Sequence, residues 1–165
     1  MTRILLVDDE PNILSSLRRV INAMPWSAVG ETPTVDTFNS PVAALERANE
    51  MAFDLVISDY RMPEMDGVSF LERLVQIQPS VARIILSGYA DLQALVDAIN
   101  KVQIFRFVSK PWNDFELTTS IVQAIEQRRL IVENQRLADQ LRVKQGQLSR
   151  HELELRRLES EYPGL

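Results

Sequence analysis

The sequence predicts an α/β fold built on a five-stranded parallel sheet. Short apolar runs each end at a polar residue, and longer amphipathic stretches separate them, as is typical of buried parallel strands. Four such runs are Ile4–Val7, Leu55–Ile57, Ile84–Leu86 and Ile104–Val108, and a further strand is predicted at Thr34–Phe38. Strands that alternate with helices in this way predict a doubly wound sheet with helices on both of its faces.

Capping residues mark where the intervening helices begin. The predicted starts are Pro11, Ser40, Asp91 and Asn113, and a further helix is predicted to carry Val68, Leu71, Leu74 and Val75. Proline is tolerated in a first turn, and serine, aspartate and asparagine accept hydrogen bonds from the free N–H groups there. Asn113 and Glu116 also have the spacing of a capping box. These five helices complete the alternation that the sheet requires.

Composition and charge limit the function further. The 165 residues suffice for one domain, predicted at residues 1–125, and an extension at 126–165. The absence of cysteine excludes a disulfide framework. No signal peptide and no membrane-length apolar run are recognised, so a cytoplasmic protein without membrane contacts is expected. The net charge is −6 over residues 1–125 and +1 over 126–165, which argues against nucleic-acid binding.

Polar residues with complementary chemistry follow four of the strands. Asp8 and Asp9 follow the first strand, Asp59 the third, Ser87 the fourth and Lys110 the fifth. The carboxyl ends of parallel strands meet at one edge of the sheet, where ligands of open α/β folds bind. Carboxylates repel by about 4 kcal/mol per pair at 4 Å and an effective dielectric near 20, and a divalent cation relieves this repulsion. The pattern predicts a site for such a cation and a phosphoryl group.

These motifs together resemble the receiver domain of two-component response regulators. The resemblance covers about residues 1–125 and depends on four segments in order. They are Asp8-Asp9, the stretch from Asp59 to Gly67, Ser87-Gly88-Tyr89 and Lys110-Pro111. It implies a flavodoxin-like (βα)5 fold with strand order 2-1-3-4-5, and a regulatory phosphoacceptor rather than an enzyme, limited to its own phosphorylation and dephosphorylation.

The resemblance also implies a role for each site residue. Asp59 is the expected phosphoacceptor, and Mg2+ is expected on Asp8, Asp9, Asp59 and the main-chain carbonyl of Arg61. Ser87 and Lys110 are expected to contact phosphoryl oxygens. Phe107 stands where the family has an aromatic switch residue, although an aromatic residue on a strand is more often a plain core residue. Tyr89 is either a shield for the phosphate or a surface residue.

The extension carries a heptad pattern. No glycine or proline interrupts residues 112–145, and a single helix of about 70 Å is predicted up to Pro163. Position a falls on Asn134, Leu141, Leu148 and Leu155, and position d on Leu130, Leu137, Lys144, His151 and Leu158. Leucine at most of these positions predicts a parallel coiled-coil homodimer, with the polar Asn134 fixing its register.

The resulting interpretation is a response regulator that a sensor histidine kinase phosphorylates at Asp59. The fifth helix then passes the change to the dimeric coiled coil. No output motif is recognised in residues 126–165. In one reading the coil controls an output domain outside this chain, and that domain is an enzyme such as one for cyclic-di-nucleotide turnover. In the alternative reading the receiver stands alone as a scaffold that acts through its coil.

Overall fold

The fold is a five-stranded parallel sheet covered by helices on both faces. The computed structural model describes residues 1–28, 30–88, 91, 95–96, 100–146 and 149–164. The strands are β1 (Arg3–Val7), β2 (Thr34–Phe38), β3 (Leu55–Asp59), β4 (Ala82–Ser87) and β5 (Arg106–Ser109). Their order is β2-β1-β3-β4-β5, and every neighbouring pair is parallel. The predicted flavodoxin-like topology is confirmed.

Five α-helices with described bounds accompany the sheet, together with a short 3-10 helix (Trp26–Ala28). The α-helices are α1 (Pro11–Ala23), α2 (Pro41–Glu50), α3 (Gly67–Ile77), a long helix (Asp114–Lys144) and a return helix (Arg150–Glu161). The predicted fourth helix falls largely outside the described residues, and so do Tyr89 and Leu148. The hydroxyl of Ser40 and the side-chain oxygen of Asn113 accept hydrogen bonds from first-turn N–H groups, as predicted.

Two apolar layers hold the helices to the sheet. Residues of α1 and the long helix pack with Leu6 and Ile57 on one face. Residues of α2 and α3 pack with Leu5 and Val56 on the other face. Neighbouring residues of a strand point to opposite faces, so β1 and β3, which are buried on both sides, need unbroken apolar runs. This arrangement leaves the two ends of the sheet for polar residues.

The last strand begins later than predicted. The apolar run starts at Ile104, whereas β5 spans Arg106–Ser109. Gln103 has a left-handed backbone with φ of 51°. The chain therefore enters the sheet only at the pairing of Arg106 with Ile84. Ile104 is buried in the core but does not pair with β4. The strand was predicted to start too early because an apolar residue indicates burial and not strand pairing.

The prediction of one continuous helix up to Pro163 is wrong. The long helix has 31 residues, a length of about 46 Å, and it ends at Lys144. Gly146 adopts a φ of 75°, a left-handed conformation that ends helices. Ser149 then starts the return helix with a complete capping box that includes Glu152. The heptad positions Leu155 and Leu158 therefore lie on a different helix from Leu130–Leu141.

The return helix folds back along the long helix. Arg156 on the return helix forms an ion pair of 2.8 Å with Asp139 on the long helix. Beyond it, Pro163 is buried, and a Cβ at Gly164 would lie 3.0 Å from the carbonyl oxygen of Asn49 at the end of α2. The tail thus runs back to the amino-terminal edge of the sheet. Among the described residues, no helix is long and apolar enough to cross a membrane.

Candidate functional site

Three carboxylates meet at the carboxyl edge of the sheet. Asp8 directly follows β1, Asp9 comes next, and Asp59 is the last residue of β3. One oxygen from each side chain lies within 4.8 Å of the others. Asp8 and Asp59 are buried, whereas Asp9 is half-buried. The parallel pairing of β1 with β3 brings these residues together, as the sequence predicted.

Lys110 provides the positive charge of this cluster. Its Nζ lies 2.9 Å from Oδ2 of Asp8 and 3.0 Å from Oδ1 of Asp59. The Oδ1 atom of Asp8 accepts a hydrogen bond of 2.9 Å from the N–H of Glu10. Lys110 follows β5, and the peptide bond between Lys110 and Pro111 is cis. One ammonium group therefore bridges two of the three carboxylates.

The pKa values of Asp59 and Lys110 are both raised above their ordinary values. Burial raises the pKa of Asp59, and the nearby charges of Asp8 and Asp9 raise it further against the opposing effect of Lys110. Burial alone would lower the pKa of Lys110, but its hydrogen bonds to Asp8 and Asp59 outweigh burial and raise that pKa. A single lysine does not neutralise three carboxylates, so the site favours an additional cation.

We expect the Asp59→Asn variant to be more stable than the native chain in metal-free buffer at neutral pH. The folded state holds the Asp59 proton more tightly than the unfolded state, since its pKa lies above the ordinary 3.8. Ionised Asp59 therefore destabilises the fold at pH values above its folded pKa, and this cost vanishes below pH 3.8. Thermal unfolding at several pH values should show a gain of a few degrees that disappears in acid.

Asp36→Asn is the matched control for that measurement. Asp36 is also a carboxylate on a strand of the same sheet, but it pairs with Arg47 at 3.2 Å. Its replacement should leave stability unchanged or slightly lower. An Asp59→Asn variant that unfolds at the same temperature as the native chain at neutral pH would show that the buried charge of Asp59 does not destabilise the fold.

Ser87 and Phe107 occupy neighbouring strands beside this cluster. Ser87 is the last residue of β4 and is buried, and its carbonyl oxygen accepts a hydrogen bond of 2.8 Å from the N–H of Lys110. Leu86 lies opposite Asp59 in the sheet, which places Ser87 one residue beyond it. Phe107 is half-buried and packs against the core on the α2 and α3 face. Both lie where the sequence placed them, and their roles stay predictions.

Arg61 makes a contact that the sequence did not predict. Its Nε donates a hydrogen bond of 2.7 Å to Oδ1 of the buried Asp91. This ion pair joins the loop after β3 to the segment after β4. Asp91 was predicted only as a helix cap, because a pair separated by 30 residues leaves no local signal. The predicted metal-binding role concerns the Arg61 carbonyl and is separate from this side-chain contact.

Gly67 is a second residue whose importance the sequence did not reveal. A Cβ atom at this position would lie 2.2 Å from the carbonyl oxygen of Asp59. The N–H of Gly67 also donates a hydrogen bond of 2.7 Å to the carbonyl oxygen of Tyr60. The start of α3 thus packs directly on the backbone of the candidate phosphoacceptor. The glycine after Asp66 was visible in the sequence, but the close approach of two backbones was not.

The donor set fits a magnesium ion. Mg2+ prefers oxygen ligands and usually binds through a few carboxylates together with water and phosphate oxygens. Asp8, Asp9 and Asp59 supply such oxygens within 4.8 Å of one another. The half-buried Asp9 keeps one side of the cluster open to solvent. The fold and this edge together define a flavodoxin-like domain with an acidic, lysine-bridged site at the carboxyl ends of its strands.

Comparison with known proteins assigns the family. The model of the response regulator receiver domain matches residues 4–122, and the chain belongs to this family. It therefore acts in two-component signalling as a regulatory phosphoacceptor domain, and receiver domains of this kind interact with histidine kinases. The resemblance identified from the strand-end motifs is confirmed.

Three relatives show how far the similarity extends. A solved structure of an uncharacterized protein from Neptuniibacter caesariensis is 41% identical, with a TM-score of 0.73, covering 81% of this chain and 93% of that chain. The signal receiver domain of an HD domain-containing protein from Pseudomonas fluorescens Pf-5 is 36% identical, with a TM-score of 0.70 and coverages of 80% and 92%. The hydrogenase transcriptional regulatory protein HoxA from Cupriavidus necator is 29% identical over 93% of this chain, which spans 27% of that regulator.

Proposed function

We propose that Asp59 accepts a phosphoryl group from a sensor histidine kinase or a small acyl phosphate in a Mg2+-dependent reaction. The observation that carries this proposal is the bridging of Asp8 and Asp59 by Lys110 at 2.9 and 3.0 Å. An oxygen of the Asp59 carboxylate forms a bond to phosphorus, and the bond from phosphorus to the donor group breaks. The product is an acyl phosphate on Asp59, which water later hydrolyses.

The residues around Asp59 have separate tasks in this proposal. Asp8, Asp9, Asp59 and the carbonyl of Arg61 would hold Mg2+, which supplies positive charge to the phosphoryl oxygens when bound. Lys110 is released from its carboxylates to pair with a phosphoryl oxygen, and the Ser87 hydroxyl donates to another. Phe107 follows the movement of β4 and β5 as the switch residue. These assignments rest on the matching family positions and on the geometry at the sheet edge.

Incubation of the chain with acetyl phosphate tests this proposal. With Mg2+, the mass of the intact protein should rise by one phosphoryl group, and without Mg2+ it should stay unchanged. Beryllofluoride with Mg2+ should produce the same spectroscopic change as phosphorylation. Labelling at an equal rate in the presence of a chelator would contradict the metal dependence.

We expect Lys110→Ala to bind Mg2+ at least as tightly as the native chain but to lose the response to beryllofluoride. The ammonium group competes with the ion for Asp8 and Asp59, and it is needed only once phosphate is present. Fluorescence of Trp112, two residues away, provides the measurement. Lys101→Ala, which removes an exposed lysine, is the control. A loss of Mg2+ affinity as large as that caused by Asp9→Ala would contradict the role given to Lys110.

The long helix is the proposed route from the site to the tail. Only Pro111 and Trp112 separate Lys110 from Asn113, which caps this helix. A displacement of Lys110 toward phosphate therefore acts at the start of the helix. Leu130, Leu137 and Leu141 are 66%, 49% and 56% exposed farther along it. We propose that these leucines pair two chains in a parallel coiled coil whose arrangement phosphorylation changes.

Removal of residues 127–165 should leave a folded, monomeric receiver. Leu117, Ile121 and Ala124 of the long helix belong to the core and remain in the shortened protein. The exposed leucines are removed, and the dimer should be lost with them. Light scattering at micromolar concentration measures both proteins. A native chain that is monomeric under these conditions would contradict the dimeric tail.

The proposed output is an enzymatic domain under the control of the coil, such as one that turns over a cyclic di-nucleotide. The receiver from an HD domain-containing protein supports this choice, because its identity of 36% extends over 92% of that domain. The similarity to a transcriptional regulator supports a DNA-binding output instead. Binding of the phosphorylated chain to a candidate output domain, with the unphosphorylated chain as control, distinguishes both from a stand-alone scaffold.

A further inference from the structure

The long helix has one face that is open to solvent. Leu130, Leu137 and Leu141 repeat at heptad spacing with Asn134 and form what we call the leucine face. Each of these leucines is about half exposed or more. Ile131, at the adjacent e position, is 52% exposed and widens this apolar surface. Such a stripe on a helix that leaves the domain is a surface for another protein.

The opposite face of the long helix is covered by the return helix. Val132 and Asp139 lie two residues beyond Leu130 and Leu137, a rotation of roughly 200° around the helix. Asp139 is 5% exposed and forms ion pairs of 2.8 Å with Arg156 and 3.4 Å with Arg142. Both Val132 and Asp139 occupy heptad position f, which points away from the partner in a coiled coil. The return helix therefore leaves the leucine face free.

We infer that a second copy of this chain packs on the leucine face while the return helix stays on the opposite face. The dimer is then assembled from two helical hairpins, and its interface spans residues 130–141. This inference rests on the dimeric tail of the proposed function and adds that the return helix stays in place when the dimer forms. The leucines of the return helix take no part in the interface.

A second copy is the occupant that suits this face. In a parallel pair Asn134 meets its own counterpart, and two amides satisfy each other's hydrogen bonds. An antiparallel pair that aligned the leucines would set Asn134 opposite Leu137 and leave the amide buried without a partner. Position g carries Glu133, and the facing position e of a parallel partner carries Ala138. No like charges therefore oppose each other beside the leucine face.

The structure also explains why the tail stays folded back. An extended tail would break the capping box between Ser149 and Glu152 and separate Arg156 from Asp139. It would also place Gly146, now at a φ of 75°, in the middle of a helix. The gain would be burial of Leu155, which is 45% exposed in the hairpin, and of Leu158, which is half-buried there. The folded-back form therefore keeps more polar contacts than the extended form provides.

A covalent cross-link between the long helix and the return helix tests the inference in the full chain. The chain has no cysteine, and Gln135 and Ser160 line one cavity between the two helices. Cysteines introduced at these two positions are joined by a short thiol cross-linker after folding. The locked protein should dimerise with a dissociation constant within about threefold of that of the unlocked protein. A dimer that disappears on locking overturns the inference but preserves the dimeric tail, whereas an unlocked protein that is monomeric overturns both.

Two charge substitutions provide the matched comparison. Leu137→Glu places a carboxylate in the leucine face and should raise the dissociation constant of the dimer at least about a hundredfold. Leu155→Glu places the same group on the return helix, where the native leucine is 45% exposed, and should leave the constant unchanged. Equal weakening by both substitutions would show that the seam continues through the tail and would overturn the inference.

Discussion

Asp59→Asn is expected to abolish phosphorylation of this chain. An amide oxygen is a much weaker nucleophile than a carboxylate, and its attack on phosphorus would not yield a stable acyl phosphate. Removal of a reacting nucleophile costs several orders of magnitude in rate, so the labelling rate should fall at least about a thousandfold. Loss of one of three carboxylates also weakens Mg2+ binding. The mass of the intact protein after incubation with acetyl phosphate and Mg2+ measures this effect.

The same variant separates loss of chemistry from loss of fold. Asp59→Asn should remain folded, since the substitution removes a charge whose burial and repulsion by Asp8 and Asp9 raise the pKa of this carboxyl. The Asp36→Asn control should be labelled at the native rate, because Asp36 lies on β2 and pairs with Arg47 away from the cluster. Labelling of the Asp59→Asn variant at the native rate would identify another acceptor, with Asp9 as the most accessible carboxylate of the site.

Gly67→Ala should destabilise the fold and disturb the site together. The added Cβ would lie 2.2 Å from the carbonyl oxygen of Asp59 and 3.1 Å from its carbonyl carbon. Both are backbone atoms, so no side-chain rotation relieves the overlap. Overpacking of this kind costs typically 1–3 kcal/mol, and we expect about 3 kcal/mol here. For a chain of this length the unfolding temperature should fall by roughly 10 °C.

Gly67→Ala should also slow the phosphorylation of Asp59. Relief of the overlap requires the end of β3 to shift away from α3, which moves Asp59 relative to Asp8 and Lys110. The rate of labelling by acetyl phosphate should therefore fall even at temperatures where the variant is folded. Gly88→Ala is the control for stability, because a Cβ at Gly88 meets no atom of the described residues within 4 Å. Equal unfolding temperatures for the two variants would contradict the close approach at Gly67.

The candidate site was predictable because each of its residues ends a strand. Asp8, Asp59 and Lys110 are far apart in the chain, but the rule that parallel strands present their carboxyl ends at one edge brings them together. The contact of Arg61 with Asp91 follows no such rule, since it joins two loops across 30 residues. The overlap at Gly67 depends on the exact path of two backbone segments. Periodicity and capping patterns carry no information on either contact.

In the tail, the heptad pattern of the sequence did not predict the tertiary structure. Leucine occupies six of the nine heptad a and d positions from Leu130 to Leu158, and this pattern predicted one helix and one seam. The alternative signals, Gly146 followed by Ser149 and Glu152, were also present in the sequence. The local preferences for a continuous helix and for a helical hairpin differ by only about 1 kcal/mol per signal, so they do not by themselves select one of the two. The pairing of Asp139 with Arg156 stabilises only the folded-back form, because an extended helix separates the two residues.

The sequence by itself determined the strands, the positions of the helix caps and the cluster of Asp8, Asp9, Asp59 and Lys110, while the order of the strands was implied by the family resemblance. The strands and caps follow from hydrophobic periodicity and short-range hydrogen bonding, which operate within a few residues, and the cluster follows because parallel strands end at one edge of the sheet. Only the tertiary structure decided the close packing at Gly67, the Arg61–Asp91 contact and the direction of the tail. Each of these depends on long-range contacts whose energies add up only after the chain has folded.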